Sequence, residues 1–501
     1  MPSDRSESNA RPSPWRDETL EERLSGIPWY LCSLLLHLLV LLLLTTLLRW
    51  TQDPEPNRGA LNVAFGPEEG PPLDSPEPSP EDAPDIDQLL DAADLVEDLW
   101  VDDAEVDDPL EELPGDSPLP ADVPFAADAL DGLPGLLGPA GGRFGARRRG
   151  AASYAGSGGM ESALTDGLEW LARHQSDDGS WDSDRFMREG RQGPCDCEDG
   201  GGRGHDVGVT SLALLAFLGA GNTTAAGPYR DAVTRGVRWL RDQQQSTSGL
   251  LGRPVSHAFL YSHALGTMAL CEAYHATRSP ILKRSAVEAV HFIQRARNPY
   301  GAWRYRSPPD GDNDTSVTGW MVFALATAAD AGLEVDPDAF DGALGWINQM
   351  TSPSTGRVGY HSRGADSIRG RSESMTAVGL LSRIFIAEHR GHDLADQDID
   401  DLHAELLLRS LPSWKDRDAR DMYYWYYGTY AMFQRGGRDW ERWEKSLESA
   451  IVRSQHKDGH ARGSWDPDGP WGGEGGRVYS TALMTLCLEV YFRYDRLTGS
   501  R

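Results

Sequence analysis

The chain has 501 residues, with 77 aspartates and glutamates against 48 lysines and arginines, for a formal net charge of −29. Phosphate backbones require cationic surface, so a chain this acidic is excluded as a nucleic-acid binder by bulk electrostatics. Much of the excess lies ahead of residue 160, and the remainder mixes both signs as an ordinary soluble domain does.

Residues 1–26 form a tail carrying Arg11, Arg16 and Arg23, and Ile27 to Leu48 follow as an almost unbroken apolar run. At about 1.5 Å per residue this run spans a hydrocarbon core, is longer than a signal-peptide core and has no small-x-small cleavage site behind it. The expectation is a retained transmembrane anchor at 27–48, through which the membrane itself is a partner. Arg11, Arg16 and Arg23 precede it, whereas Arg49 and the distant Arg58 follow. That bias predicts a single-pass protein with a cytoplasmic N-terminus and its large domain on the extracytoplasmic side.

Residues 49–159 read as a disordered acidic linker rich in proline, alanine and glycine, with no lysine or arginine between Arg58 and Arg143. Such a stretch lacks the apolar density to offset ordering entropy and is extended by self-repulsion. Two short apolar-acidic pieces, 86–96 and 125–130, have the pattern of segments that fold on a partner. Arg143, Arg147, Arg148 and Arg149 make a brief basic patch before a glycine-serine hinge.

From residue 160 a repeat takes over. Thr210, Thr267, Thr318, Thr376, Thr429 and Thr481 each open an apolar run, at intervals of roughly 51–58 residues. Between them recurs an amphipathic phrase ending in a glycine-rich turn: Gly167-Leu-Glu-Trp170 to Gln175 and then Asp178-Gly-Ser-Trp181; Gly236-Val-Arg-Trp239 to Gln244; Phe292-Ile293 with Gly301-Ala-Trp303; Trp346-Ile347 with Gly359-Tyr360; and Gln455 with Gly463-Ser-Trp465. Apolar residues at helical spacing give each phrase one buried stripe, and the glycines permit positive φ past the helix end. Each unit is therefore helix, turn, helix. The end units are as apolar as the middle ones, which an open solenoid with polar caps does not allow. The fold class expected is all-α: an α/α toroid of about six helical hairpins spanning 160–496, preceded by the anchor and the linker.

The phrase from Gly167 to Trp181 resembles the QW repeat of squalene and oxidosqualene cyclases, hairpins of a kind also found in protein prenyltransferase β subunits. The resemblance covers about two thirds of the chain, and the fourth and fifth repeats are degraded. It implies the toroid, and it implies that the chemistry of a cyclase would need a protonated middle aspartate in an Asp-x-Asp-Asp-Thr-Ala motif. The matching stretch is Gly311-Asp312-Asn313-Asp314-Thr315-Ser316, with Asn313 in the acid's place. An amide is not a strong Brønsted acid. Asp312 and Asp314 are the substitute candidates, although Asp314 precedes Thr318 at an N-cap spacing shared by Asp206 before Thr210 and Ser372 before Thr376.

Prenyltransferases carry zinc on an Asp-x-Cys pair and a distant histidine, and no Asp-x-Cys stands at an inner-helix start here. The nearest cluster is Cys195-Asp-Cys197 followed by His205 and Asp206, whose spacing fits no zinc signature. It reads as a loop thiol pair, free or disulfide-bonded, with a metal site as the alternative reading, and no cofactor is expected. Cys271 and Cys487 sit in apolar runs as small hydrophobes. No thioester motif, phosphate-binding loop or dinucleotide fingerprint is present.

A closed ring brings all six inner-helix starts to one rim. The candidate rim and cavity residues are Asp206, His257, His263, Trp320, Glu373, Tyr424, Trp425 and Tyr427, with Tyr261 beside them. The functional expectation is a binding or scaffold module for an apolar small molecule or a protein partner, its acid motif degraded; whether it catalyses anything stays open, with the balance against. A terpenoid cyclase variant using Asp312 or Asp314 is the first alternative. A carbohydrate-active toroid drawing on Glu373, Asp366 or Asp421 is the second.

Overall fold

The computed structural model describes residues 158–493 apart from 191, 192, 199, 300, 365–371, 392–395, 416, 418 and 419. The tail, the 27–48 anchor, all but the last residues of the linker, and Asp366 lie outside the described residues. Among those described, no helix is long and apolar enough to cross a membrane. The order is α1 (Gly158–Arg173), α2 (Phe186–Glu189), α3 (Asp206–Gly219), α4 (Arg230–Asp242), α5 (Phe259–Thr277), α6 (Pro280–Arg295), α7 (Thr315–Asp330), α8 (Pro337–Met350), α9 (Ser374–Arg390), α10 (Gln397–Arg409), α11 (Met422–Arg435), α12 (Gly437–Ser454) and α13 (Gly472–Arg493). The described residues contain no strand, only three isolated bridges.

Helices α3, α5, α7, α9, α11 and α13 each pack on the next, and α13 returns to α3, so the inner ring is closed. Helices α1, α4, α6, α8, α10 and α12 lie outside it, and α1 covers the seam by packing on both α13 and α3. The two classes differ in sequence as their positions require. In α5 nearly every residue from Phe259 to Ala276 is buried, whereas α4 buries only a stripe, among it Val233, Val237 and Leu240. Close approach depends on missing side chains: a Cβ on Gly319 of α7 would lie 2.2 Å from Val378 Cγ1 of α9. On Gly428 of α11 it would lie 2.5 Å from the Trp443 ring of α12.

The recurring glutamine is a clasp between hairpins. Gln175 Nε2 donates to Gly179 O in its own turn and to Ala232 O on α4, both at 2.9 Å. Gln244 does the same to Gly249 O (3.2 Å) and Ser285 O on α6 (2.9 Å). Gln455 donates to Gly463 O (3.0 Å) and to Ala163 O on α1 (2.7 Å), which ties the last hairpin to the first. The turn tryptophans are fully buried and donate their indole N–H to the preceding outer helix: Trp181 to Leu171 O (2.7 Å), Trp303 to Ile293 O (2.8 Å) and Trp465 to Ile451 O (2.9 Å).

The recurring threonine does not open its helix. Thr210 lies five residues into α3 and Thr429 eight into α11. Its hydroxyl accepts the backbone N–H of the turn instead: Trp181 N to Thr210 (2.8 Å), Trp303 N to Thr318 (3.3 Å), Val358 N to Thr376 (3.3 Å) and Trp465 N to Thr481 (3.4 Å). The repeat thus encodes a joint between turn and inner helix, because the buried turn backbone must find acceptors.

Candidate functional site

The inner helices begin at one end of the ring, and the turns that precede them form its rim. A bowl of about 760 Å³ opens there, walled by Tyr261 of α5, Ser316 of α7, Met375 of α9, Tyr423 of α11 and the loop residues Tyr305, Tyr360, Arg420, Asp421, Asp468 and Trp471. A recess of about 140 Å³ shares Tyr261, Ser316, Tyr423 and Trp471 and extends to His257, Leu212 and Trp320. Below this the ring is filled. Trp320 stacks on Tyr426 with centroids 5.8 Å apart, Phe323 lies 5.0 Å from Phe385 and 5.5 Å from Tyr430, and all are buried.

The walls are fixed by hydrogen bonds. The Tyr305 and Tyr360 hydroxyls bond to each other, and Ser316 Oγ and Tyr423 OH lie 3.0 Å apart. The Arg304 guanidinium lies over the Tyr305 ring, 5.2 Å from its centroid. Asp421 caps α11 by accepting Tyr424 N–H (3.0 Å) and takes the Ser372 hydroxyl at 2.6 Å. Burial raises its carboxyl pKa, against which these donors pull down. Arg420 pairs with Asp468 and stacks over Trp414 at 4.5 Å.

The structure divides the rim candidates. His257 reaches the recess, its ring edge on Tyr305 at 5.4 Å, and Trp320 forms part of the recess wall. His263 lies inside α5 rather than ahead of it, fully buried, where Nδ1 accepts Leu251 N–H (3.0 Å) and Nε2 donates to Ala289 O (3.1 Å). Burial holds it neutral, with a pKa of about 4. It replaces the turn-to-helix joint that Thr210 makes elsewhere. Glu373 is locked to Arg357 (2.6 Å) and Thr376 (2.9 Å). Tyr424 points its hydroxyl to Leu407 O and Ser410 O of the outer wall, Trp425 packs on Trp414, and Tyr427 belongs to the aromatic filling. The run from Tyr423 to Tyr427 lies within α11, so its helical spacing sends only Tyr423 into the bowl.

Asp206 does not cap α3; it is the first helical residue, and its Oδ1 accepts both the backbone and hydroxyl of Ser183 at 2.9 Å. Asp312 has an exposed side chain paired with Arg304. Asp314 is fully buried and caps α7 by accepting Val317 N–H at 2.8 Å. Its other oxygen makes no hydrogen bond of ordinary geometry and lies 3.8 Å from Arg304 Nε. Burial raises this carboxyl to about 7, opposed by the Val317 amide, Tyr360 and Arg304. Asn313 is a loop brace, its Oδ1 accepting from Asn298 (2.9 Å) and Ala302 N–H (3.0 Å).

Sequence reasoning missed Tyr305 and Pro467 of the bowl, and a signal for both was present. Tyr305, Tyr360 and Pro467 each stand two residues past the joint made by Trp303, Val358 or Trp465, and all three line the opening. Arg420 and Trp471, which sit outside the repeat phrases, carried no such signal.

No family model and no curated protein matches the chain. Among solved structures it is similar to the cellobiose 2-epimerase from Bacillus thermoamylovorans B4167 (13% identity, 66% of this chain and 97% of that one, TM-score 0.49). It is also similar to the GH76A alpha-1,6-mannanase from Salegentibacter sp. HEL1_6 (10%, 66% and 98%, 0.48) and to a type II terpene cyclase from Scytonema (10%, 67% and 97%, 0.44). Three such different activities at these scores decide nothing about chemistry. The toroid stands on the closed order of its own helix contacts.

Proposed function

We propose that the protein is a membrane-anchored, exported binding module whose rim bowl receives a polyhydroxylated ligand of saccharide type. The observation that carries this reading is the bowl's make-up: tyrosines and a tryptophan line it together with fixed hydroxyls, a buried carboxyl and an arginine–aspartate pair, above a ring centre packed with aromatics. Aromatic faces take the apolar side of a sugar ring, and the fixed polar groups orient its hydroxyls. A long polyene would need the volume that Trp320, Phe323 and Tyr426 occupy. Placement outside the cytoplasm and attachment through 27–48 belong to the same proposal and rest on the sequence.

The test is titration of the detergent-solubilised full chain with a panel of oligosaccharides, read by tryptophan fluorescence, beside organic extraction of the purified protein. Saturable binding that is lost in Trp471→Ala and Tyr423→Ala, with the helical content kept, is the expected result. Absence of saccharide binding together with a co-purifying isoprenoid would overturn it.

A second reading is favoured by Asp314. A buried carboxyl with one oxygen that makes no hydrogen bond of ordinary geometry and a pKa near neutrality is suited to hold a proton for delivery. That reading makes the protein a terpenoid cyclase variant. It requires product formation that Asp314→Asn abolishes while the fold survives.

A further inference from the structure

The connection from α1 to α3, residues 174–205, is long, and its described residues hold only the single turn α2. Its path brings together three groups that sequence spacing kept apart. His174, just past the end of α1, places Nε2 3.4 Å from Cys195 Sγ and 3.4 Å from Cys197 Sγ. The third partner of the thiol pair is thus a histidine that precedes it, not His205, which instead faces Glu474 Oε2 at 3.1 Å.

We propose that His174, Cys195 and Cys197 bind a zinc ion. The imidazole is arranged for it: Nδ1 lies 2.7 Å from Trp170 O, and because a carbonyl only accepts, the proton is on Nδ1 and the Nε2 lone pair faces both sulfurs. Trp170 stacks on the ring at 4.1 Å and Phe186 meets it edge-on at 5.6 Å, so its orientation is set before any ion arrives. A tetrahedral ion bonded at about 2.3 Å to sulfur and about 2.0 Å to nitrogen holds those atoms about 3.5 Å apart, close to both observed separations. Thiolate and imidazole are ligands for zinc rather than for magnesium or calcium. Three protein ligands leave the fourth position to water.

Two groups work against the burial that disfavours a thiolate here. The Trp170 indole N–H has no oxygen acceptor and acts on Cys197, as does the cationic Arg477, which donates to Glu198 O at 3.2 Å. Without an ion, burial and Cys195 push the Cys197 thiol up to about 12, so zinc binding there has to displace its proton. The site lies outside the bowl and pins the long connection to the end of α1, closing a loop whose ends otherwise order at entropic cost.

The experiment uses the full chain, purified under reducing conditions in detergent. One zinc per chain is expected by elemental analysis, and cobalt substitution is expected to give thiolate-to-cobalt charge transfer with tetrahedral d–d bands. Chelation should release two thiols to a thiol reagent, and Cys197→Ser and Cys195→Ser should lose the cobalt spectrum while Cys271→Ser retains it. The cobalt titration of the unmodified chain stands even where a variant fails to fold. Failure of the reduced chain to take up zinc or cobalt stoichiometrically, or a cobalt spectrum unchanged in both cysteine variants, overturns the proposal. So does a Cys195–Cys197 disulfide whose reduction yields no metal uptake.

Discussion

The seam of the ring and the opposite arc are built by different chemistry. At the seam, Gln455 reaches Ala163, Gln175 reaches Ala232, and each turn is plugged by a buried tryptophan. On the far arc the equivalent of the glutamine is Thr351, whose hydroxyl turns back to Ile347 O of its own helix, and the tryptophan position is Val358. There a buried arginine performs the joining. Arg383 of α9 donates to Asp400 of α10 at 2.9 Å and to Asn348 of α8, so one side chain holds three helices. Between the two arcs, Arg297 donates to Asp338 O at 3.0 Å and spans the junction as a cationic substitute for glutamine. Degraded repeats are therefore not unjoined ones: neutral amide clasps tolerate pH and salt, whereas the arginine junction depends on charge.

The difference can be broken from either side. Trp465→Ala at the seam should cost about 3–5 kcal/mol, against about 1–2 kcal/mol for Val358→Ala on the far arc, in matched denaturant midpoints. Equal losses would mean that the turns are energetically alike. Arg383→Met should cost about 3 kcal/mol by leaving the half-buried Asp400 without this partner, and adding Asp400→Leu should recover most of it. If the second change recovers nothing, the pair is not what joins α9 to α10.

Asp314 offers a pH test beside both arcs. Its folded pKa of about 7 exceeds the unfolded carboxylate value, so the native state holds the proton more tightly and stability falls as pH rises from about 4 through 7. Asn keeps the cap without the charge. Asp314→Asn should raise the melting temperature at pH 8, leave it unchanged near pH 4, and so flatten the profile. Gln455→Ala is expected to have the smallest effect, about 1–2 kcal/mol for the two carbonyls it leaves without a donor.

Periodicity made the toroid legible, because helical stripes and turn glycines are local and the ring merely repeats them. The site was less so. Tyr261, Trp320 and Asp421 could be named because they lie beside inner-helix starts, which closure gathers at one rim. Arg420 and Trp471 sit in irregular loops with no period, and His174 meets Cys195 and Cys197 only because the first turn folds back along α1. Tyr424, Trp425 and Tyr427 failed as rim residues for a rotational reason: a helix beginning at Met422 turns about 100° per residue, and only Tyr423 faces the opening.

The bond from Gln455 to Ala163 joins residues 292 positions apart. An open array of hairpins can lengthen one unit at a time, each addition stable on its predecessor. A ring cannot. Until α12 and α13 have been synthesised, α1 and α3 present an uncovered flank, and no early fragment owns a complete core. Folding should accordingly be slow and all-or-none, and loss of the last hairpin should unfold the first as surely as the one beside it.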